Sequence, residues 1–356
     1  MTETLQFWSD TPDRVDARFD VLADVLDTMR VSSLLYRRLE LGAPWGLRVP
    51  VIDLANFYVV ARGSAILEID GEAPVSLSAG DLVMFSRGVS HVLRDGPRSD
   101  VVPLDEGACW PNGSSSGRFG GAGPVTVLAG GCFVFDGHGS TLLDRLSPII
   151  ILQAHDPAAG PTLAATVQLF LAESAAPRPG TELVMSRLAD VLLVQVLRAN
   201  AARSSCPEEG LRGLADPHVG RALALIHARP GEGWTVDRLS AAVGMSRSGF
   251  AARFTSLVGA SPLEYVTRWR MRKAARLLED TDLGLKEIGA RLGYSSIPAF
   301  SKAFKREEGA TPFQHRAVAR ERRDDRGRVP LSAAGLGLMF AGRRAVGTHG
   351  PTDAGA

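Results

Sequence analysis

The sequence contains no long apolar run, no closely spaced cysteines and, before position 273, no lysine. No apolar run approaches the roughly 18 to 20 residues that a membrane-spanning helix needs, and acids stand near the start where a secretory signal has a basic flank. The cysteines, Cys109, Cys132 and Cys206, are odd in number and too widely spaced for a disulfide framework or a CxxC zinc site. These absences predict a cytoplasmic protein with free thiols and no membrane partner.

Length and composition predict a folded chain of two domains. The sequence has 356 residues, 45% of them apolar and 22% charged, which is typical of globular proteins of two domains. Residues 1–215 have 17 Lys and Arg against 25 Asp and Glu, whereas residues 216–328 have 21 against 13. An acidic module therefore precedes a basic one. A basic module of this size suggests a polyanion partner, although on charge alone a merely solvated basic surface explains it equally well.

Hydrophobic periodicity predicts a β region flanked by helices in the acidic module. Apolar residues at three- and four-residue intervals predict a helix over 15–30, and short alternating runs predict a small antiparallel β module up to about 135. The Gly- and Ser-rich stretch 110–124 is expected to be a loop, and helices are expected at 161–175 and 181–199. One broad side of the last helix is apolar, so it either packs on the β module or forms a homodimer interface.

The basic module repeats itself with an offset of 49 to 50 residues. Each copy has an apolar helical stripe, a Gly-containing turn, a serine, a second stripe with two phenylalanines and a closing Gly-Ala-Ser/Thr-Pro. Two short helices joined by such a turn, the second capped by serine, form a helix-turn-helix. The copies predict two such units at 236–257 and 285–308. The phenylalanines expected in their cores are Phe250, Phe254, Phe300 and Phe304.

A longer helix is expected between the two units. It begins at Ser261 and Pro262 and ends near Glu279, and it would hold the units about one turn of duplex, roughly 34 Å, apart. Its predicted inward residues are Leu263, Val266, Ala274 and Leu277, with Trp269 also packed. Its basic side carries Arg268, Arg270, Arg272, Lys273 and Arg276.

The segment 219–318 resembles the DNA-binding domain of the AraC/XylS family of bacterial transcription regulators. The resemblance rests on the double unit together with Ala290-Arg291-Leu292-Gly293-Tyr294 and Gly309-Ala310-Thr311-Pro312-Phe313. It implies recognition helices at about 246–257 and 296–307, double-stranded DNA and RNA polymerase as partners, and a location at the nucleoid. The expected division is a domain over 1–200, a linker over 201–217, a DNA-binding domain over 218–318 and a flexible tail over 325–356.

Helical geometry selects the residues expected to meet DNA. With the phenylalanines inward, the first recognition helix presents a nearly smooth surface and the second presents cations that can donate to base edges. Arg247 and Arg253 flank the smooth surface and are expected to hold phosphate rather than to read bases. The predicted set is Arg247, Ser248, Ala251, Ala252, Arg253, Thr255, Pro298, Ser301, Lys302, Lys305 and Arg306.

Residues 80–91 fit the second motif of cupin barrels, G-x5-P-x-G-x2-H, except that Ser86 stands in place of proline. The region 30–135 therefore resembles the cupin-type sensor domain of some AraC-family regulators. The implied fold class is α+β with two domains: a cupin-like β-barrel with helices, then an all-α double helix-turn-helix. Residues 56–63, where the first cupin motif should lie, contain no histidine, so we expect no metal, no cofactor and no catalytic residue. His138 is expected to be a loop residue.

The expected function is a sequence-specific transcription regulator, a homodimer controlled by a small molecule or stress signal. The candidate ligand-lining residues are Trp45, Tyr58, Met84, Phe85 and His91. Two alternatives are a metal-dependent cupin enzyme fused to a DNA-binding domain and a redox sensor that uses Cys109 or Cys132. No basic residue adjoins either cysteine in sequence, which favours inert thiols.

Overall fold

The computed structural model describes residues 19–28, 31–51, 54–104, 116–135, 146–156, 159–202 and 212–326. Every strand in this part lies before residue 153, and every element from 212 onward is a helix. No helix in the described part combines the length and the apolarity needed to cross a membrane. The division into a strand-rich and a helical half agrees with the expected fold class.

The N-terminal half contains strands flanked by helices on both sides in sequence. Its helices are α1 (Val21–Thr28), α2 (Gly160–Ala175) and α3 (Thr181–Ala202). Its strands are β1 (Val31–Gly42), β2 (Gly46–Val49), β3 (Ala55–Arg62), β4 (Ser64–Ile69), β5 (Val75–Ser78), β6 (Leu82–Phe85), β7 (His91–Arg94), β8 (Val102–Pro103), β9 (Ser116–Gly120), β10 (Val125–Phe135) and β11 (Ile149–Leu152).

The strands form two sheets that enclose an apolar core. One sheet has the order β11-β6-β3-β10-β1-β9 and the other the order β5-β4-β7-β2-β8. Leu41, Leu67 and Phe85 are among the buried residues that meet between them. The expected loop over 110–124 is wrong in part, because β9 pairs in parallel with β1 and extends the first sheet. Residues 105–115 lie outside the described part.

Helices α2 and α3 cover the outer face of the six-stranded sheet. Strand side chains alternate between faces, so Leu82 and Met84 of β6 pack with the helices while Val83 and Phe85 enter the core between the sheets. The apolar residues of α3 also lie on two different sides, one buried and one exposed. Leu192 is 1% exposed against the sheet, whereas Leu183 is 63% exposed and Val191 43%. Packing on the β module is thus observed for one side of α3, and a second apolar side faces outward.

The C-terminal half consists of eight helices in its described part. They are α4 (Arg212–Ala215), α5 (Pro217–Ala228), α6 (Val236–Ala242), α7 (Arg247–Val258), α8 (Pro262–Asp280), α9 (Leu285–Arg291), α10 (Ile297–Glu308) and α11 (Pro312–Arg326). We call α6 with α7 the first unit, α9 with α10 the second unit and α8 the spacer helix. The units match the predicted ranges to within one residue.

Matching residues begin and end the second helix of each unit. Ser246 accepts a hydrogen bond from the Gly249 amide at 3.2 Å, and Ser296 accepts one from the Ala299 amide at 3.4 Å. Gly259 and Gly309 end the helices in the left-handed region, with φ of 76° and 75°. Glycine tolerates that conformation without strain, so these residues set the helix lengths locally.

The phenylalanines of both units are fully buried, as predicted. Phe250 and Phe254 lie in one apolar cluster and Phe300 and Phe304 in another, all at 0% exposure. Trp269 of the spacer helix is buried, which confirms its packing role. The inward assignment of Leu263 is wrong, since that side chain is 43% exposed. It lies in the first turn of the helix, where the chain has just left the first unit.

The predicted linker over 201–217 is partly helical in the structure. It includes the end of α3 and all of α4, while residues 203–211 lie outside the described part. Gly213 of α4 is buried, and a Cβ added there would lie 3.1 Å from the Val258 side chain. The last turn before α5 is therefore packed against the first unit. Of the expected tail, only the end of α11 is described.

Candidate nucleic-acid interface

The structure brings the predicted DNA-contacting residues to the outer sides of α7 and α10. Ser248, Ala252 and Thr255 are exposed on α7, and Ala251 is half-buried beside them. Pro298, Lys302 and Lys305 are exposed on α10, with Ser301 half-buried. The buried phenylalanines lie on the opposite side of each helix. Both helices thus present a continuous outward surface at the end of a packed unit.

The outward surface of α7 is small and carries no charge at its centre. Serine, alanine and threonine permit close approach and contact with a thymine methyl group, but they cannot form the bidentate pair that arginine forms with guanine. Arg247, at the edge of this surface, forms an ion pair with Asp237 at 3.3 Å. That pair is widely exposed to solvent, so it is weak enough to exchange for a phosphate.

Arg253 has a structural partner that the sequence did not indicate. Its guanidinium binds Asp216, which caps α5 by accepting hydrogen bonds from the His218 and Val219 amides at 3.0 and 2.9 Å. Although burial alone would raise the pKa of Asp216, the bonds from Arg253 and from the two amides lower it. Arg253 therefore holds α7 against α5. Its side chain remains 49% exposed, so it can still reach a phosphate.

The outward surface of α10 carries the free cations of the interface. Among the described residues, Lys302 and Lys305 form no ion pair and are exposed. Arg306 pairs with its neighbour Glu307 at 2.8 Å and is 67% exposed. A lysine without a carboxylate partner can bind a phosphate or a base edge without first breaking an internal bond. The second unit therefore offers the stronger electrostatic contact.

The basic residues of the spacer helix are engaged within the protein. Arg270 donates to the carbonyl oxygens of Pro230 and Glu232 at 2.6 and 2.7 Å. Arg272 pairs with Glu308 of α10 at 3.8 Å, and Arg276 pairs with Asp280 at 2.8 Å. Arg270 and Arg272 connect the spacer helix to its surroundings, whereas the Arg276 pair lies within the helix. The net positive charge of the basic module therefore overstates what is available to DNA.

Four of the five candidate ligand-lining residues lie together between the sheets. His91 stacks on Phe85 with ring centroids 4.1 Å apart, and Tyr58 approaches His91 edge-on at 5.7 Å. Trp45 is 2% exposed in the same core. Met84 is the exception, because it lies on the opposite face of β6 and packs with the helices. Strand alternation contains that information: with Phe85 inward, its neighbour must face outward.

An open cavity of about 290 Å³ borders this core at one edge. Of the five candidates only His91 lines it, together with polar residues that include Arg48, Glu68 and Asp70. The Nε2 atom of His91 and the Nε1 atom of Trp45 are buried and have no hydrogen-bond partner among the described residues. A buried polar atom without a partner costs free energy, so each is a point at which a ligand can add a bond.

Burial determines the protonation of His91. Its Nδ1 atom donates to the Val89 carbonyl at 2.8 Å, which leaves Nε2 as an acceptor in the neutral ring. Burial lowers the pKa of His91 to about 4, against an ordinary 6.5. His91 is therefore neutral at physiological pH.

The stability of the N-terminal domain is expected to fall in mild acid because of His91. A histidine with a lowered pKa contributes fully above about pH 6.5, and its contribution is lost as the pH falls toward 4. The expected loss is about 2 kcal/mol of unfolding free energy between pH 7.5 and pH 5. Urea unfolding at both values measures it, with His91→Gln as control. Equal pH dependence in the variant and the wild type would contradict this assignment.

Few of the residues named in the thiol and metal hypotheses lie in the described part. Cys132 is a half-buried thiol in β10 opposite Asn56, while Cys109, Cys206 and His138 lie outside the described residues. No group of three or more His, Cys, Asp or Glu side chains suited to a metal ion occurs among the residues described.

Comparison with known proteins relates the two halves to separate families. Residues 20–202 match the family described as Cupin, and residues 239–317 match the family described as Helix-turn-helix domain. A putative AraC-like transcription regulator of Streptomyces lividans is 38% identical over 304 residues, which cover 83% of this chain and 98% of that protein. The HTH-type transcriptional regulator MtrA of Neisseria gonorrhoeae is 32% identical over 302 residues, with 83% and 98% covered.

Solved structures also resemble the C-terminal half. The DNA-binding domain of AdpA, described as a global transcriptional factor and solved with a target DNA, is 36% identical. The match covers 31% of this chain and 97% of that one, with a TM-score of 0.30.

Proposed function

Since this chain belongs to the AraC-like family of DNA-binding transcription regulators, we propose that it reads operator DNA through α7 and α10 under the control of a small molecule held in its cupin-like domain. The observation that carries the proposal is the pair of outward surfaces on α7 and α10, which the spacer helix joins and which each lie opposite two buried phenylalanines. Two helices at a fixed separation suit two successive major grooves on one side of a duplex. RNA polymerase is proposed as the further protein partner.

The two surfaces are proposed to contribute differently to binding. The first, with Ser248, Ala252 and Thr255, fits closely and favours particular base steps through shape and methyl contacts. The second, with Lys302 and Lys305, supplies charge and hydrogen-bond donors. Arg247, Arg253 and Arg306 are proposed to bind phosphates and set the register.

Lys302 is proposed to donate to a guanine edge in the groove occupied by α10. Lys302→Ala is then expected to cost about 1 to 3 kcal/mol of binding free energy and to relax the preference at one or two base pairs. Ala252→Ser, at the equivalent place in the first unit, should change affinity little because no strong bond is lost there. Selection of sites from a randomised DNA pool compares both variants with the wild type. Unchanged site preference in Lys302→Ala would remove this lysine from base reading.

The core between the sheets supports an effector site in the N-terminal domain. Trp45 Nε1 is a donor and His91 Nε2 an acceptor, and both are buried without partners among the described residues. A mainly apolar molecule that carries an acceptor for Trp45 and a donor for His91 would satisfy them. Regulation without catalysis is the proposed role of this domain, since its relatives are named as transcription regulators.

A homodimer is proposed to form through the exposed apolar side of α3. Leu183, Val184 and Val191 are 63%, 43% and 43% exposed, within a helix whose other side covers the sheet. The double variant Leu183→Glu with Val191→Glu is expected to dissociate the dimer and leave both domains folded, because neither side chain belongs to the core. Sedimentation at micromolar concentration measures this. Leu192→Glu is the comparator and should unfold the domain, since Leu192 is buried. A monomeric wild type would end the dimer proposal.

A further inference from the structure

Helix α1 lies between the two domains and contributes to the packing of both. Val21 and Val25 are buried in the apolar cluster of the first unit, at 6% and 0% exposure. Leu22 and Leu26, one position further round the helix, pack against the cluster formed by α2, α3 and the six-stranded sheet. A helix with two apolar stripes that face different cores fills the space between them. Although it precedes the β module in sequence, α1 is thus part of the core of the DNA-binding domain.

A polar network fastens the same helix to the DNA-binding domain. One carboxylate oxygen of Asp24 accepts a hydrogen bond from Lys273 of the spacer helix. The other lies 2.9 Å from Nδ1 of His227 at the end of α5. Nε2 of His227 lies 2.7 Å from the Tyr265 hydroxyl. Since a carboxylate only accepts, Nδ1 of the neutral ring donates to Asp24 and Nε2 accepts from Tyr265.

His227 and Tyr265 are buried, Asp24 and Lys273 are half-buried, and each group of the network has a partner. The His227 side chain has 0% exposure and stacks on Trp269, with ring centroids 3.8 Å apart. Burial lowers the pKa of His227, and this effect outweighs the hydrogen bond that His227 donates to Asp24, which raises it. For Asp24, burial would raise the pKa, but the bonds to His227 and Lys273 lower it. Withdrawal of α1 would leave the His227 ring and the Lys273 ammonium without the carboxylate that accepts their hydrogen bonds.

The attachment point connects α1 to both helix-turn-helix units. Tyr265, Trp269 and Lys273 lie at four-residue intervals along the spacer helix, on the side that meets α1 and the first unit. Met271, Ala274 and Leu278 of the same helix lie in the core of the second unit. A displacement of α1 therefore acts on the helix that sets the relative position of both DNA-contacting surfaces.

We infer that α1 is the coupling element through which the cupin-like domain acts on the DNA-binding domain, held there by the Lys273–Asp24–His227–Tyr265 network. This inference rests on the proposed control of DNA binding by the N-terminal domain. α1 ends at Thr28, and β1 begins at Val31 and pairs with β10 in the sheet that borders the effector core. A change in that sheet or in the α2 and α3 cluster moves α1, and the first unit loses or gains its support.

Hydrogen–deuterium exchange of the full-length protein tests the coupling without knowledge of the effector. Asp24→Asn keeps the size of the side chain but removes the charge that Lys273 binds. We expect exchange in α5 and in the first unit to rise about tenfold, because loss of the half-buried charge that binds both Lys273 and His227 weakens local closure. Asp27→Asn is the matched control, since it removes the same charge from an exposed position of the same helix. It should change exchange neither in α5 nor in the first unit. Equal exchange in Asp24→Asn and Asp27→Asn would overturn the inference.

A second variant distinguishes coupling from simple attachment. Leu22→Ala with Leu26→Ala alters only the side of α1 that faces the N-terminal cluster. If α1 transmits the state of that domain, exchange must also change in α5 and the first unit, whose apolar cluster contains Val21 and Val25 instead. Changes confined to the N-terminal domain would overturn the inference. Operator binding is measured in the same samples. Absence of binding in the wild type would contradict the proposed function, whereas the exchange measurements test the coupling independently of it.

Discussion

Phe304→Ala is expected to destabilise the second unit by about 3 to 5 kcal/mol and to abolish its hold on DNA, although Phe304 does not face the duplex. The side chain is 0% exposed and packs against Phe300 at 6.0 Å and edge-on against His315 at 5.4 Å. Truncation leaves a cavity beneath α10 that the short α9 cannot fill. Because a domain is stable by only about 5 to 15 kcal/mol, such a loss loosens the helix that carries Lys302 and Lys305.

Chemical unfolding and operator binding together measure this effect. Phe313→Ala is the control, since Phe313 is 77% exposed in the same domain and should cost less than about 0.5 kcal/mol. Phe254→Ala makes the equivalent change in the first unit. Phe254 and Phe304 belong to separate clusters, so their effects should add in the double variant. A loss for Phe304→Ala no larger than for Phe313→Ala would show that the second unit is not packed as described.

Operator affinity is expected to fall about 150-fold per chain between 50 and 200 mM salt, from release of counterions by four phosphate contacts. The cations assigned to phosphate are Arg247, Arg253, Lys305 and Arg306. Each contact contributes about 0.9 to the slope of log affinity against log salt, which gives a slope near −3.6. The basic residues of the spacer helix are expected to contribute little to this slope, because carboxylates and carbonyl oxygens already bind them.

Single substitutions resolve which cations account for the slope. Lys305→Ala should reduce its magnitude by about one, whereas Lys302→Ala should weaken binding with the slope nearly unchanged, as expected of a base contact. Arg272→Ala is the matched control and should leave the slope unchanged, because Arg272 pairs with Glu308 inside the domain. Titrations of one operator duplex at four salt concentrations measure all three. A slope near zero in the wild type would contradict the phosphate assignments.

Much of the C-terminal domain was predictable because its signals are local. Ser246 and Ser296 begin helices, Gly259 and Gly309 end them, and the apolar stripes between follow the helical period. Each signal acts over a few residues, so its outcome hardly depends on the rest of the chain. The repeat adds a second, independent copy of the same pattern. The boundaries of both units and the burial of their phenylalanines followed from these features alone.

The N-terminal domain was less predictable, since strand order depends on pairing between distant segments. Alternating runs predicted strands, and Trp45, Tyr58, Phe85 and His91 do share one core. Pairing of β9 with β1 joins segments more than 70 residues apart, and the Gly- and Ser-rich composition of that stretch predicted a loop instead. Strand alternation already excludes a core that takes both Met84 and Phe85, but which of the two faces the other sheet depends on what packs on each face of β6.

The sequence by itself determined the two helix-turn-helix units, their separation along the chain and the acidic and basic division of the sequence. The tertiary structure alone decided which charges remain free for DNA and where α1 is placed. Arg253 and Asp216 are 37 positions apart, and Asp24 lies 203 and 249 positions from His227 and Lys273. Local propensity acts over a few residues, whereas such pairs form only where the packed backbone brings distant segments within hydrogen-bonding distance.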